Sequence, residues 1–335
     1  MQTQVRDYTV MLDLFNQIIR EAPSWEAGDL VGFPINAIID WPMGTPAGFQ
    51  MFCDPRVNAK FKEMFDTWTQ FLTSADSRYV LTEDEGGWFS PPALEAMPNF
   101  AETYISDPSL PYWGFQSWDD FFTRQFRPGV RPVASPDDNT VITSACESAF
   151  YAKATDIKEI DQFWIKGQPY SLTHLFNHHT YTPMFIGGTL VQAFLSATKY
   201  HRWHSPVNGT INNTVLIPGT YYAEDPLMGF DPAGPNDSQG FITQTAARAL
   251  IFIEAENPSI GLMCFVAIGM AEVSTCQITV YQGQTVKKGD QLGMFHFGGS
   301  THALIFRPET KLQFNPDLET EDTILLNSVV ATVES

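Results

Sequence analysis

The sequence predicts an α+β fold in which a helical N-terminal region precedes a mainly antiparallel β domain. The first third of the chain carries apolar residues at helical spacing. From Val133 onward the pattern changes to short β-type runs separated by Gly, Pro and Asn. A length of 335 residues is compatible with about two domains. We therefore predict a helical region over residues 1–116 and a second domain over residues 117–335.

The helical assignment depends on three segments. Residues 8–20 and 57–72 each place apolar side chains on one face of a helix. Breaker-rich segments at residues 40–44 and 85–92 interrupt and follow them. Ser117 with Asp120 forms a capping box, which predicts a short helix that ends near residue 127.

The second domain consists mainly of predicted strands. The β-type runs lie at residues 141–143, 210–211, 215–217, 250–253 and 262–268. One helical interlude is predicted at residues 188–198. Residues 280–293 alternate strands with glycine turns, a pattern that resembles the sandwiched hairpins of lipoyl- and biotinyl-carrier domains. Carrier chemistry is not predicted, because the tip-like segment 297–301 has no Lys to acylate.

The composition excludes two classes of partner. Nineteen Lys and Arg against 38 Asp and Glu give a net charge of −19, which repels nucleic-acid phosphates and anionic membranes. No apolar run approaches the roughly 18 residues of a membrane-spanning helix, and the opening residues lack the pattern of a secretory signal. The four Cys are scattered and form no C-x-x-C motif. We therefore expect a cytoplasmic protein with no nucleic-acid partner and no stable membrane anchor.

The segment Gly298-Gly299-Ser300-Thr301 joins two strand-like runs and is the first candidate site. Its ordinary interpretation is a hairpin turn. Its chemical interpretation is a strained Gly299–Ser300 bond, because glycines allow a bend that exposes the Gly299 carbonyl to the Ser300 hydroxyl. Attack there converts the amide into an ester. Loss of the Ser300 α-proton then expels the Gly299 carboxylate, and the resulting dehydroalanine hydrolyses to a pyruvoyl group.

Such a reaction needs a base, because an unassisted serine is a weak nucleophile. His201 and His204, in the segment His-Arg-Trp-His, are the candidates. Their spacing also permits a metal site, but no Cys or acid nearby completes a ligand set, and no metal is predicted. We expect His174, His178 and His179 to be surface histidines, because they lie in a polar, loop-like stretch.

A histidine base is normally oriented by a carboxylate. Asp137 and Asp138 are the candidates, in the segment Ser-Pro-Asp-Asp-Asn at residues 135–139. Asp and Asn also favour a plain turn, so both interpretations stay open on the residues alone.

Taken together, five motifs resemble the pyruvoyl-dependent phosphatidylserine decarboxylase family. They are FFTRQFRPGVRPV at 121–133, SPDD at 135–138, KG at 166–167 with YSL at 170–172, YHRWHSP at 200–206 and GGST at 298–301. The resemblance implies a phosphatidylserine decarboxylase-like fold for residues 117–335. It also implies self-cleavage between Gly299 and Ser300 into chains 1–299 and 300–335, which stay associated.

Within that family, the N-terminal third resembles the soluble fungal L-tryptophan decarboxylases of the psilocybin-pathway type. Its motifs are YTVM at 8–11, FN at 15–16, APSW at 22–25, NAI at 36–38 and DWPMGT at 40–45. The second domain shares ACES at 145–148, IGGT at 186–189 and IEAENP at 253–258 with that branch. The resemblance implies that the N-terminal region replaces the membrane-docking segment of the lipid-processing members.

The resemblance assigns roles to four side chains. It makes Ser300 the source of the pyruvoyl cofactor, His204 the maturation base and Asp138 the acid that orients it. It puts His201 near the substrate during decarboxylation, where it is our candidate to return a proton to the α-carbon.

The sequence departs from the family pattern at one of these positions. Asp138-Asn139 stands where the family commonly has Asp-Gly. Asp137 therefore remains an alternative to Asp138 as the orienting acid. No role is predicted for His302, which interrupts the apolar segment after Ser300.

The activity implied is that of a self-maturing carboxy-lyase. The pyruvoyl group takes up the substrate's α-amine and the electrons released with CO2, as pyridoxal phosphate does elsewhere, so neither pyridoxal phosphate nor a metal is expected. The predicted substrate is an aromatic L-amino acid, most readily L-tryptophan or a ring-substituted tryptophan. The net charge disfavours a lipid surface, and Trp203 and Phe297 are candidates for aromatic walls.

Three alternatives remain open. Phosphatidylserine is the alternative substrate within the family. A carrier or binding module would show an acylated Lys and an uncut chain. A serine hydrolase using Ser300, His204 and Asp138 would keep Ser300 and acylate it.

Overall fold

The fold is of the α+β class, as the sequence predicts. The computed structural model describes residues 5–26, 33–161, 170–196, 198–228, 237–273, 275–296, 300–319 and 323–334. Helices dominate up to residue 122, and strands dominate from residue 141. Every pairing between the strands named below is antiparallel.

Seven α-helices precede the first strand in the described residues. They are α1 (Tyr8–Ile18), α2 (Pro34–Met43), α3 (Pro46–Cys53), α4 (Pro55–Leu72), α5 (Pro91–Ala96), α6 (Phe100–Thr103) and α7 (Trp118–Phe122). The helices predicted at residues 8–20 and 57–72 are confirmed as α1 and α4. Side chains of Asp7 and Asp54 accept hydrogen bonds from the first free amides of these two helices.

Helix α7 begins as predicted but ends earlier. The Ser117 hydroxyl accepts from the Asp120 amide, which confirms the N-cap. The helix ends at Phe122 rather than near residue 127. The reason is tertiary: the Gln125 carbonyl and the Arg127 amide pair with the backbone of residues 103–105.

Thirteen strands form three sheets in the described residues. The strands are β1 (Val141–Thr143), β2 (Ala149–Thr155), β3 (Thr189–Leu195), β4 (Arg202–His204), β5 (Gly209–Ile217), β6 (Arg248–Ala255), β7 (Leu262–Gly269), β8 (Thr275–Ile278), β9 (Thr285–Val286), β10 (Gln291–His296), β11 (Ser300–Phe306), β12 (Leu312–Phe314) and β13 (Val329–Val333). The main sheet has the order β2-β3-β11-β7-β6-β5-β9, and the two small sheets have the orders β1-β13-β12 and β4-β10-β8. The strand runs predicted from residue 141 onward are confirmed in β1, β5, β6 and β7.

The helical interlude predicted at residues 188–198 is wrong. Residues 189–195 form β3, which pairs with β2 on one side and β11 on the other. Most of its side chains are buried, so it lacks the polar–apolar alternation of a half-exposed strand. The buried Gln192 is satisfied by Tyr170, Thr243 and Thr301.

The glycine turns predicted in the carrier-like segment 280–293 are present, but the strands on either side of them do not pair with each other as a hairpin. Gly283 and Gly289 have positive φ, which glycine adopts without steric cost. The strands that the turns delimit pair elsewhere, because β9 joins β5 and β10 lies between β4 and β8.

The two faces of the main sheet have different covers. One face packs against the helices of the N-terminal region and the β4-β10-β8 sheet in one hydrophobic cluster. The opposite face carries α8 (Leu172–Leu175), α9 (Thr182–Phe185) and α10 (Gln239–Thr245). In β11, Leu304 and Phe306 belong to the first cluster, and Ala303 and Ile305 to the second. By strand alternation, Ser300 and His302 therefore lie on the face that the N-terminal region covers.

No helix among the described residues combines the length and apolar character needed to cross a membrane.

Candidate active site

Ser300 is the first residue of β11 and lies inside the main sheet. Its cross-strand partners are Leu195 on β3 and Gly269 on β7. The side chain is fully buried, and its hydroxyl oxygen has no hydrogen-bond partner within the described residues. A buried hydroxyl without a partner is costly, by about 1–3 kcal/mol. Gly298 and Gly299, and Lys166 and Gly167 of the third motif, lie outside the described residues.

The motif His-Arg-Trp-His lies in the sheet packed over the Ser300 face. Strand β4 pairs with β10, the strand that precedes Ser300 in sequence. Between the two histidines, Trp203 is fully buried, and its ring centroid lies 5.5 Å from that of Phe265 on β7. Trp203 is thus part of the core between the two sheets, while Phe297 lies outside the described residues.

His204 is held at both ring nitrogens. Nδ1 lies 2.7 Å from the Gly289 carbonyl oxygen and Nε2 lies 2.9 Å from the Tyr200 hydroxyl. A carbonyl can only accept, so we assign the hydrogen to Nδ1, and the Tyr200 hydroxyl then donates to Nε2. Burial lowers the pKa of His204, and the Gly289 hydrogen bond opposes that effect. The ring is therefore neutral at neutral pH, as a base requires.

Asp138 lies in an exposed turn, and its carboxylate bonds within that turn. Its Oδ1 accepts from the Thr140 amide and hydroxyl at 2.9 and 2.6 Å, and these bonds lower its pKa. The link to His204 runs through Lys288, whose ammonium donates to the carbonyls of Ser135 and Asp138. Lys288 directly precedes Gly289, the residue that holds His204. Asp137 is exposed in the same turn.

The remaining histidines of the sequence analysis occupy different environments. His201 is fully buried and stacks on Phe122 at 4.1 Å. His174 and His178 are exposed, as expected of surface residues. His179 is half-buried instead, because it stacks on Phe252 and contacts Asn213. No group of three or more potential metal ligands occurs among the residues described.

Three further buried groups, His302, Asp119 and Glu272, have no role predicted from the sequence. His302 shares the strand face of Ser300, a relation that strand alternation could have shown. Asp119 bonds His296 at 2.8 Å, at the end of the strand before Ser300. Glu272 lies three residues after Gly269, the cross-strand partner of Ser300. The last two relations join distant segments, so no local sequence pattern reports them.

Comparison with known families agrees with this architecture. The phosphatidylserine decarboxylase profile matches residues 118–332, and a second phosphatidylserine decarboxylase profile matches residues 1–97. The chain belongs to the phosphatidylserine decarboxylase family. Its enzyme class is accordingly that of a decarboxylase, a lyase.

Individual relatives fall into two groups. Decarboxylase iboD of Amanita muscaria is 45% identical over 90% of this chain and 91% of its own length. L-tryptophan decarboxylase of Psilocybe cubensis is 43% identical over 100% of this chain and 81% of its own length. Phosphatidylserine decarboxylase proenzyme 3 of Schizosaccharomyces pombe is 30% identical over 65% of this chain and 22% of its own length. The resemblance expected from the sequence motifs is therefore confirmed.

Proposed function

We propose that the chain cleaves itself between Gly299 and Ser300 and uses the resulting pyruvoyl group to decarboxylate an aromatic L-amino acid. L-tryptophan or a ring-substituted tryptophan is the proposed substrate, and the products are the amine and CO2. The supporting observation is Ser300 itself, a buried hydroxyl at the start of a central strand, with no hydrogen-bond partner among the described residues. If Ser300 is consumed during maturation, the energetic cost of its buried hydroxyl lasts only until cleavage, which explains why this unfavourable arrangement is retained.

The pyruvoyl group would supply the electron sink for loss of the carboxylate. The protein's own contribution begins with enclosure. Ser300 lies between two strands and beneath an aromatic cluster. Such a site excludes water and strengthens electrostatic interactions within it.

His204 is the proposed base of the maturation step. Its Nδ1 hydrogen is fixed on the Gly289 carbonyl, so the lone pair is on Nε2. Acceptance of the Ser300 proton at Nε2 requires the Tyr200 hydroxyl to leave that nitrogen. Asp138 is proposed to position His204 indirectly, since Lys288 ties its turn to the segment that contains Gly289.

His201 is the proposed partner of the substrate. It lies directly before β4, and the buried ring is held by stacking on Phe122. A buried imidazole next to β4, in the sheet packed over the Ser300 face, is suited to return a proton to the α-carbon after CO2 leaves.

The choice of an aromatic amino acid has two supports. Two relatives at 43% and 44% identity are named L-tryptophan decarboxylase. The charge of −19 opposes binding to an anionic membrane surface. Phosphatidylserine is the alternative substrate, because the family profile and the relatives at 30% identity carry that name.

Intact-mass analysis under denaturing conditions tests the maturation step. We expect wild-type protein to give two chains, residues 1–299 and 300–335, with the small chain blocked at its N-terminus and reactive with phenylhydrazine. Ser300→Ala should remain one inactive chain, whereas Ser328→Ala, in a partly exposed turn, should still split. An uncut wild-type chain that releases CO2 at full rate contradicts the proposal, as does a Ser300→Ala chain that splits.

Substrate trials with the mature protein test the second step. We expect CO2 and tryptamine from L-tryptophan, and no phosphatidylethanolamine from vesicles that contain phosphatidylserine. Turnover of the vesicles alone would assign the lipid as substrate instead.

A further inference from the structure

His302 occupies a special place relative to Ser300. The two residues are separated by one position in β11, so their side chains point to the same face of the main sheet. Their Cα atoms are about 6.8 Å apart at the rise of an antiparallel strand. That separation is comparable with the length of an aromatic amino-acid side chain anchored at Ser300.

The imidazole of His302 has an unused hydrogen-bonding atom. The side chain is buried, and Nδ1 has no partner within the part of the chain that is described. The ring interacts with the carbonyl of Ala193, which lies opposite on β3. Because a carbonyl accepts only, we assign the ring hydrogen to Nε2, which leaves a lone pair on Nδ1.

The protonation state of His302 supports this assignment. Burial lowers its pKa to about 4, although the Ala193 carbonyl opposes that effect. The ring is therefore neutral at neutral pH, and Nδ1 remains an acceptor rather than a donor. A buried acceptor without a donor is unfavourable by about 1–3 kcal/mol, unless a ligand supplies the hydrogen.

The surroundings of His302 favour an aromatic ligand. Phe265 on β7 stacks on its ring with the centroids 5.9 Å apart, and the Trp203 ring centroid lies 5.5 Å from that of Phe265. A ligand that meets Nδ1 thus enters an aromatic environment with one neutral acceptor. An aromatic ring that carries an N–H group matches both properties.

Building on the proposed function, we propose that His302 is a specificity-determining residue that accepts the indole N–H of the substrate at Nδ1. The substrate's α-amine is excluded as the donor, since it is engaged at the group derived from Ser300. Aromatic side chains without a ring N–H would leave Nδ1 unpaired. A site built around a buried hydrogen bond rejects such analogues strongly.

The test compares tryptophan with its benzothiophene analogue, in which sulfur replaces the ring N–H. We expect the mature wild-type enzyme to prefer tryptophan in kcat/KM by at least about tenfold. His302→Leu removes the acceptor and should bring the ratio close to one. His302→Asn is the matched control, because its Oδ1 can accept near the position of Nδ1, and it should retain most of the preference.

A binding measurement without turnover accompanies the kinetics. Calorimetry on the mature protein compares indole-3-propionate with benzothiophene-3-propionate, neither of which carries an amine. We expect tighter binding of the indole acid by about tenfold in the wild type and equal binding in His302→Leu.

Several results would overturn the proposal. A wild-type ratio near one between the indole compound and its benzothiophene analogue, in kcat/KM or in binding, overturns the proposal by itself. This result decides the question even where His302→Leu fails to mature. An unchanged preference in a mature Leu variant does so as well. If the wild type splits but does not decarboxylate tryptophan, the proposed substrate fails instead, and the binding preference of the mature protein still decides the role of His302. A wild type that never splits overturns both proposals.

Discussion

At the scale of single residues, the carboxyl of Glu272 is an unusual group outside the proposed reaction centre. It is buried, and its Oε1 accepts from the Ile35 and Asn36 amides at 2.7 and 2.9 Å, at the N-terminus of α2. Burial raises its pKa to about 7, while the backbone hydrogen bonds lower it. The neighbouring Tyr222 hydroxyl is buried too, and burial raises its pKa well above the usual value. Glu272 therefore links the helical region to the sheet at an electrostatic cost.

That cost predicts a pH-dependent effect of Glu272→Gln. A carboxyl whose pKa rises from 4.5 to about 7 on folding keeps its proton longer in the folded state, so folding stability falls as pH rises through this window. At 1.36 kcal/mol per pKa unit the full penalty is ~3 kcal/mol. The Gln variant lacks it, because its amide oxygen can still accept from α2.

Urea unfolding at about pH 5 and about pH 8 measures this difference. The free energy of unfolding of Glu272→Gln, relative to wild type, should rise by up to ~3 kcal/mol between the two conditions. Glu95→Gln is the control, because Glu95 is exposed. A difference that does not change with pH would contradict a buried, protonated Glu272.

Sequence reasoning at this scale found the residue types but not their partners. The motifs predict Ser300, His201 and His204 as site residues, and this assignment stays a prediction. The bonds from His204 to Gly289 and from Lys288 to Ser135 join positions 85 and 153 residues apart. Only the folded chain brings such atoms together, so local patterns could not show that a carbonyl, rather than a carboxylate, holds His204.

At the scale of elements, the prediction of secondary structure succeeded where a segment has one dominant hydrophobic pattern. Helices α1 and α4 have one apolar face, and β6 and β7 are nearly continuous apolar runs. The prediction failed for β3, because both faces of this strand are buried and the polar–apolar alternation of a half-exposed strand is therefore absent. Its buried Gln192 bonds Thr301, 109 residues away, so no local window contained the reason for a polar residue there.

The link between α7 and β10 predicts an effect on self-cleavage. His296 ends β10 four residues before Ser300, and its ring lies between Asp119 and Gln277, 2.8 Å from each. Asp119→Ala should release this end of β10 and slow the proposed cleavage by about tenfold to a hundredfold, because small misplacements of reacting groups are costly. Asp119→Asn keeps an acceptor and should be less affected.

The half-time of cleavage, measured by denaturing intact mass, checks this expectation. Asp120→Asn on the same helix is the control, because Asp120 is exposed and its carboxylate accepts from the Gln116 amide rather than from His296. Equal half-times for Asp119→Ala and wild type would show that the Asp119–His296 contact does not position the cleavage segment.

At the scale of the whole molecule, the helical region and the sheet share one hydrophobic cluster. Phe61 packs against Tyr222 at 4.8 Å, and Phe122 packs against His201 at 4.1 Å. Each pair joins a helix that precedes β1 to a residue of the β domain. The division at residues 116 and 117 stays a prediction, and the family profiles divide the chain near the same place. The extent of the shared core could not be predicted, because each amphipathic helix shows that it has a buried face but not what covers it.

The position of β11 predicts how the two chains of the proposed mature protein would behave. All seven residues of β11 are buried, and the strand pairs along its length with β3 and β7. Strand β13, also in the proposed small chain, pairs with β1. Removing the small chain would expose the core of the main sheet, so we expect both chains to elute as one particle in native buffer and to separate only in denaturant.

Cleavage also makes refolding bimolecular, so recovery after dilution from urea should depend on protein concentration for the mature protein and much less for Ser300→Ala. A small chain that elutes separately in native buffer would contradict this account of the sheet, and size-exclusion chromatography with mass detection decides the question.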